Sequence, residues 1–174
     1  PNLIRLGGLA NVMLVAGGSL EVARNAALQD LDGLSSIHTI AGGLILSGNP
    51  MINHIEGLKQ VQSIGEMVSP GVIQITNNTE LENLDGLQAV TAVRSNFTIS
   101  NNEKLTSLYG LRNLGIIEGD FTVTYNPTLS WCEVDTVVNA LGTHGITGTI
   151  TRAGNLELDD CGDSNQDQGN ISPM

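Results

Sequence analysis

The apolar residues of this chain recur in a pattern that repeats about every 24 residues. One asparagine marks the same point of each unit, at positions Asn25, Asn49, Asn78, Asn102, Asn126 and Asn155. Subtraction gives spacings of 24, 29, 24, 24 and 29 residues. Between the markers the chain follows N-x-x-L-x-x-L-x-G-L-x-x-V-x-x-V-x-G-x-L-x-I, with exchanges among apolar residues. Self-similarity at a period of this length predicts stacked repeat units.

Each unit contains short stretches in which every second residue is apolar, as in Phe97-Thr98-Ile99 and Phe121-Thr122-Val123. Such stretches predict strands whose apolar residues point inward. Strands stacked in register about 4.8 Å apart form parallel sheets along the stack. We place the glycine of the L-x-G-L motif at a corner, where a missing Cβ relaxes the allowed backbone angles. We expect the repeated asparagine to bond backbone groups and its own copy in the next unit, a structural role.

Two parts of the chain depart from the repeat. The third unit carries extra residues, which fit best as a loop at Glu66–Pro70 that leaves the stack. After Asn126, the residues Ser130-Trp131-Cys132-Glu133 have the spacing of a capping box, in which the serine accepts from the third helical amide and Glu133 reaches back. Helical spacing of the following apolar residues predicts a helix at about residues 131–141, followed by one more strand-like unit.

We expect this helix to cover the last unit as a cap, held by a disulfide between Cys132 and Cys161. A bond that closes a loop of about 30 residues contributes roughly 3 kcal/mol. Two free buried thiols are the alternative. Residues 1–161 are therefore expected to form a single domain, and the polar residues 162–174 a flexible tail or linker. The start at Pro1, inside the repeat, indicates a mature or trimmed chain.

Over residues 1–161, this motif and the cysteine-bearing cap together resemble the receptor L domain family. The pattern is also similar to repeats of secreted microbial surface proteins and to fungal sporulation-type cell-wall proteins with GPI anchors. The resemblance implies a mainly β fold, namely a right-handed parallel β-helix: a leucine-rich-repeat-like solenoid with a C-terminal helical cap. It implies an extracellular, non-catalytic recognition or adhesion module, secreted or at the cell surface. The cysteine-rich modules and kinase of animal receptors are missing here, so a hormone-receptor role does not follow.

Composition narrows the classes of partner. The net charge is -11 and Lys plus Arg number only 7, which argues against nucleic acid and anionic membrane surfaces. No apolar run approaches the roughly 20 residues of a membrane span. The even cysteine count and N-x-S/T sequons at Asn77, Asn96 and Asn170 favour a secreted glycoprotein.

The resemblance nominates the outer face of the sheet built from the L-x-I strands, because that face holds the ligand in the receptors. Its residues are small and nearly uncharged, and the candidate binding residues are Ile45, Gln74, Thr76, Thr98, Ser100, Thr122, Thr124 and Tyr125. We expect it to bind an extracellular protein or a glycan, and a merely solvated sheet is the alternative. The alternative function is a structural building block of a cell wall, matrix or surface filament, through self-assembly or neighbouring domains.

Two minor functions use other residues. The pairs Thr98/Ser100, Thr122/Thr124 and Thr149/Thr151 form an incomplete T-x-T ladder, which would order water in an ice-binding protein. A polysaccharide-acting enzyme would use the group Asp30, Asp32, His54 and Glu56. No basic residue accompanies that group in the sequence and aromatic residues are scarce, so we do not expect an enzyme.

Asp32, Glu56 and Asp85 precede the glycine of L-x-G-L in three units. Stacked carboxylates either splay into water or share a cation, and oxygen-only ligands would suit Ca²⁺. Splayed surface acids are the preferred interpretation, because Gly7 and Tyr109 interrupt the column. We expect no cofactor and no resident metal, and the three histidines have no metal-ligand spacing.

Overall fold

The structure, a computed structural model, describes residues 3–65, 71–157 and 161. This part of the chain is mainly β, with two parallel sheets and one short α-helix. From the first unit to the fifth, each unit contributes a two-residue strand to one sheet and then a four-residue strand to the other. The predicted Glu66–Pro70 loop and the predicted tail at 162–174 lie outside the described residues.

The longer strands form a six-stranded sheet with the order β11-β10-β8-β6-β4-β2. They are β2 (Leu20–Ala23), β4 (Leu44–Ser47), β6 (Ile73–Thr76), β8 (Phe97–Ser100), β10 (Phe121–Thr124) and β11 (Ile150–Ala153). All pairs are parallel and keep the register of the sequence repeat, so that Leu44 pairs with Ile73, and Ile73 with Phe97. In β4, β6, β8 and β10 the first and third residues are buried.

The shorter strands form a five-stranded sheet with the order β1-β3-β5-β7-β9. They are β1 (Leu14–Val15), β3 (Thr39–Ile40), β5 (Ser63–Ile64), β7 (Ala92–Val93) and β9 (Ile116–Ile117). Before each of them the L-x-G-L motif forms a 3-10 helix, at Gly7–Leu9, Asp32–Leu34, Glu56–Leu58, Asp85–Leu87 and Tyr109–Leu111. Consecutive 3-10 helices lie against one another, which aligns the turns of neighbouring units.

The L-x-G-L motif requires glycine for a different reason from the one predicted. Gly33, Gly57, Gly86 and Gly110 do not have positive φ angles. A Cβ at Gly57 would lie 1.9 Å from the carbonyl oxygen of Leu31 in the preceding unit. The residue is therefore glycine because the units stack too closely for a side chain, and not because of its backbone angles.

The core consists of columns of Leu, Ile and Val that run through the units. Phe97 and Phe121 occupy one column, with ring centroids 5.7 Å apart and the planes tilted by 52°. The first unit is less covered, and its exposed large apolar residues are Leu3, Ile4, Leu9, Met13 and Leu14.

The repeated asparagines form a buried ladder, as the sequence predicts. The backbone N–H of Asn78 donates to Oδ1 of Asn102 at 3.1 Å, and the backbone N–H of Asn102 donates to Oδ1 of Asn126 at 3.0 Å. The Asn102 side-chain Nδ2 donates to the Ile75 carbonyl at 3.0 Å. Asn49, Asn78, Asn102 and Asn126 have no exposed surface. Each side chain thus links consecutive units through hydrogen bonds to their backbone groups.

The cap is the helix α1, Trp131–Leu141, which buries Val134, Val137 and Leu141. Its bounds agree with the prediction. The Ser130 hydroxyl caps the helix but accepts from the second helical amide, Cys132, at 3.0 Å and not from the third, because the Glu133 amide donates to the Ser130 carbonyl at 3.1 Å. The predicted role of Glu133 is wrong. Its Oε2 accepts from the Leu108 amide at 2.8 Å and from the Ser107 hydroxyl at 3.1 Å, because these donors of the preceding unit lie beside the first turn of α1.

The predicted disulfide is present between Cys132 and Cys161, with the two sulfurs 2.04 Å apart and the Cα atoms 5.1 Å apart. It joins the first turn of α1 to the chain that follows β11. The alternative of two free thiols is therefore wrong.

Candidate functional site

The outer face of the six-stranded sheet consists of two columns of outward residues. Parallel register places Glu21, Ile45, Gln74, Thr98, Thr122 and Thr151 in one column and Ala23, Ser47, Thr76, Ser100, Thr124 and Ala153 in the other. Six strands at the usual spacing make this face about 24 Å across the strands. Glu21, on the edge strand β2, is the one charged residue in the two columns. We call these two columns the outer face.

The structure brings the predicted binding residues together on this face. Ile45, Gln74, Thr98 and Thr122 are neighbours in one column, and Thr76, Ser100 and Thr124 are neighbours in the other. Most of them are half-buried, because each side chain is flanked by its copies on the adjacent strands. The Thr76 hydroxyl donates to the Ser47 hydroxyl at 2.9 Å, so part of the hydrogen-bonding capacity is used within the face. The remaining hydroxyls form a neutral, polar surface.

The T-x-T ladder is shorter than predicted. Ile150 pairs with Phe121, so Thr151 is the partner of Thr122, and Ala153 is the partner of Thr124. Thr149 lies before the strand, and its amide donates to Asp120 Oδ1 at 2.8 Å. The third Thr pair of the ladder does not form, because the register of β11 places alanine in the second column.

The residue that follows each long strand has a left-handed backbone. The φ angles are 57° at Arg24 and Asn77, 55° at Asn101 and 56° at Tyr125, whereas Gly48 and Gly154 occupy the same position in two units. Glycine adopts this conformation freely and asparagine tolerates it, but for most side chains it costs roughly 1–2 kcal/mol. This turn was not predicted from the sequence. Its signal is the glycine or asparagine that precedes four of the ladder asparagines: Gly48, Asn77, Asn101 and Gly154.

Tyr125, the eighth predicted binding residue, occupies this position at the end of β10. Its side chain is 62% exposed, so burial does not compensate for the strained backbone. The ring lies against the next unit, since a Cβ at Gly154 would be 2.7 Å from the Cδ1 atom of Tyr125. Tyr125 therefore extends the outer face at the ends of its strands.

Two predicted glycosylation sequons flank the outer face at opposite ends of its strands. Asn77 follows β6 and Asn96 precedes β8, and both side chains are exposed. The Asn96 Oδ1 accepts from the Asp120 amide at 2.8 Å, a bond that leaves the Nδ2 atom for a glycan. The third sequon, Asn170, lies outside the described residues.

Asp120 forms a hydrogen-bond site that sequence reasoning missed. Its Oδ1 accepts from the amide and the hydroxyl of Thr149, each at 2.8 Å. The backbone hydrogen bond, followed by the hydroxyl hydrogen bond, lowers the pKa of the Asp120 carboxyl because both donors stabilise its charged form. The side-chain oxygens of Ser19 and Asn96 accept hydrogen bonds from the backbone of the next unit in the same way. Together with Asp120 they align the starts of the long strands.

The three stacked acids, Asp32, Glu56 and Asp85, are the first residues of three 3-10 helices. Asp32 and Glu56 are exposed, and Asp85 is half-buried, with a buried Oδ1 that has no hydrogen-bond partner. Within residues 3–65, 71–157 and 161, no group of three or more His, Cys, Asp or Glu side chains is arranged to hold a metal ion. The weak Ca²⁺ hypothesis for Asp32, Glu56 and Asp85 gains no support from this geometry.

The group Asp30, Asp32, His54 and Glu56, which a polysaccharide-acting enzyme would use, was expected to have no basic residue beside it. A basic residue does accompany it, because Arg5 Nε lies 3.9 Å from Asp30 Oδ2. The other oxygen, Oδ1 of Asp30, accepts from the Asp32 amide at 3.2 Å. Asp30 thus has structural partners on both oxygens. His38 and His144 are exposed, and His54 is half-buried.

Comparison with models of protein families, with curated proteins and with solved structures finds no match. In the described part of the chain, no helix has the length and apolar character needed to cross a membrane.

Proposed function

We propose that this protein is an extracellular, non-catalytic recognition module that binds a protein or a glycan through its outer face. The proposed fold is a right-handed parallel β-helix of the receptor L domain type, a leucine-rich-repeat-like solenoid closed by the α1 cap.

Three features support the solenoid. The chain enters the two sheets alternately and in sequence order, as successive turns of a solenoid would. The asparagine ladder repeats one hydrogen-bond pattern through the units. The 3-10 helices stack at the same point of each unit.

The disulfide supports an extracellular location, because such bonds persist in oxidising compartments. Exposure of Asn77 and Asn96 is compatible with glycosylation in the secretory pathway. Neither feature identifies the partner.

The observation that carries the proposal is the outer face itself. Charged side chains such as Lys and Glu are among the residues most often exposed on a protein surface. Here the four central strands present only Ile, Gln, Ser and Thr outward, in a chain of net charge -11. A neutral surface is suited to contact with another macromolecule, because little charge must be desolvated on binding.

The test is binding of labelled protein to an array of immobilised glycans and extracellular proteins. The variant Thr98→Glu/Thr122→Glu places two charges on adjacent strands of the outer face. The matched control, Thr39→Glu/Ser63→Glu, does the same on the five-stranded sheet. We expect the first variant to lose the array signals and the control to keep them, with Tm changed by only a few degrees in both. Equal binding by the first variant and the wild type would rule out the outer face.

The alternative function, a structural building block, is favoured by one observation. The first unit exposes Leu3, Ile4, Leu9, Met13 and Leu14 next to the edge strands β1 and β2. Unpaired strand edges with apolar neighbours promote association. Light scattering at micromolar concentration distinguishes the two functions, because a recognition module stays monodisperse and a building block grows into larger assemblies.

A further inference from the structure

An open cleft lies beside the outer face, where β8, β10 and β11 end. Its volume is about 520 Å³, and it is lined by Asn101, Glu103, Lys104, Tyr125, Pro127 and Gly154. Small-ligand sites have volumes on the order of 300–1,000 Å³, so the cleft is large enough for a ligand of a few rings. It adjoins the outer face directly, because Ser100 and Thr124 precede Asn101 and Tyr125 in the chain.

The aromatic residue of this cleft has a backbone conformation that is costly for its side chain. Three residues occupy equivalent positions in successive units, with φ of 55° at Asn101, 56° at Tyr125 and 65° at Gly154. Asparagine and glycine suit the left-handed region, but tyrosine does not. The exposed Tyr125 side chain gains little burial in return. A strained, exposed aromatic residue inside a cleft indicates a role in binding.

The ring of Tyr125 has a fixed support. It lies so close to Gly154 that a Cβ there would be 2.7 Å from Cδ1 and 3.2 Å from Cε1. Glycine thus lets the ring rest on the backbone of the next unit. Such a ring forms a platform for a flat apolar surface, and little entropy is lost when a ligand stacks on it.

The polar groups around the platform include both donors and acceptors. Lys104 Nζ lies 2.6 Å from Glu80 Oε2, and this bond and the charge of Glu80 raise the pKa of Lys104. The Glu103 carboxylate and the Asn101 amide are exposed beside it. Lys104 is thus balanced by acids, and the chain is strongly acidic, so an anionic ligand would be repelled.

We propose that this cleft binds a neutral oligosaccharide, with one sugar ring stacked on Tyr125 and its hydroxyls bonded to Asn101, Glu103 and Lys104. A sugar presents C–H groups on its face and hydroxyl donors and acceptors at its rim, which matches this combination of groups. The inference rests on the proposed recognition function and specifies its ligand class. A protein partner fits less well, because stable protein interfaces bury roughly 800 Å² on each side around an apolar centre.

The test is a titration of the whole chain with three neutral trisaccharides. One consists of β-linked glucose, one of N-acetylglucosamine and one of α-linked mannose. Binding is measured by calorimetry and by saturation-transfer NMR. The key variant is Tyr125→Asn, which removes the ring but keeps a residue that suits the left-handed backbone. Tyr125→Phe keeps the ring, and Tyr109→Asn removes the other exposed tyrosine, which does not line the cleft.

We expect saturable binding of at least one trisaccharide by the wild type. Binding should weaken at least about tenfold in Tyr125→Asn. It should change by less than about threefold in Tyr125→Phe and Tyr109→Asn, and Tyr125→Asn should have an unchanged or higher Tm. The inference is overturned if no trisaccharide binds at millimolar concentration, or if Tyr125→Asn binds as the wild type does. Protein-only signals on the array would overturn this inference while leaving the proposed recognition function intact.

Discussion

The asparagine ladder allows the most detailed stability prediction. In Asn102→Ala, the Asn78 amide N–H loses its acceptor at 3.1 Å and the Ile75 carbonyl loses its side-chain donor at 3.0 Å. The ladder position is fully buried, so water cannot replace these partners. The unsatisfied backbone N–H of Asn78 costs about 1–3 kcal/mol, and the lost side-chain bond to the Ile75 carbonyl, which keeps its place in the sheet between β6 and β8, costs about 0.5–1.5 kcal/mol, so the expected loss is about 1.5–4.5 kcal/mol. That is a large part of the roughly 5–15 kcal/mol by which domains are stable.

Urea unfolding, followed by circular dichroism, measures this loss, and Asn25→Ala is the matched control. Asn25 is half-buried at the end of the ladder, and its Nδ2 donates to the Ala23 carbonyl and to Asn49 Oδ1, both at 3.1 Å. Within the residues that the structure describes, no amide donates to its Oδ1. The control should lose less than about 1.5 kcal/mol. Equal losses in the two variants would refute the reasoning, because they would mean that internal ladder bonds contribute no more than the terminal one.

Three further predictions concern the stacking, the cap and a surface carboxylate. Gly57→Ala should lower the free energy of unfolding by more than about 3 kcal/mol, because the new Cβ would lie 1.9 Å from a carbonyl oxygen. The control is Gly8→Ala, where no atom lies within 4 Å of the new Cβ, and it should change the free energy of unfolding by less than about 1 kcal/mol. Thermal unfolding checks this pair, and similar melting temperatures would contradict close stacking. Cys132→Ser should cost roughly 3 kcal/mol in urea unfolding and match the reduced wild type; a loss that reduction of the wild type does not reproduce would contradict a cap held by the disulfide. The pKa of the Asp120 carboxyl is lowered in the folded protein by its bonds to Thr149. These bonds therefore stabilise the fold at pH values above the ordinary carboxyl pKa of about 3.9. Their contribution is lost as the pH falls through the lower pKa of the folded state. Asp120→Asn should therefore reduce the loss of Tm below about pH 4, and an identical acid profile would contradict the assignment.

The sequence was sufficient for the features that repeat through stacking. Inward residues such as Phe97 and Ile99 reveal strands because alternation has a period of two. The ladder asparagines reveal the register, since one polar residue is buried at the same point of each unit. The helix was predictable from Ser130 and from apolar residues at helical spacing.

Features that depend on contacts between units were harder to predict. A two-residue strand such as Ser63–Ile64 is too short to show a period, so the five-stranded sheet left no clear signal. The close contact at Gly57 and the bonds of Glu133 arise only once the next unit is in place. The left-handed backbone of Tyr125 is hidden, because the side chain at that position is not one that the conformation favours.

Recognition through the outer face is best examined by NMR, from the amide shifts of labelled protein during titration with the array ligand that binds most strongly. We expect the largest shifts at Thr98, Ser100, Thr122 and Thr124, with further shifts at Tyr125. Thr39 and Ser63 on the five-stranded sheet should not shift. Shifts centred on the five-stranded sheet or on the first unit would contradict recognition through the outer face.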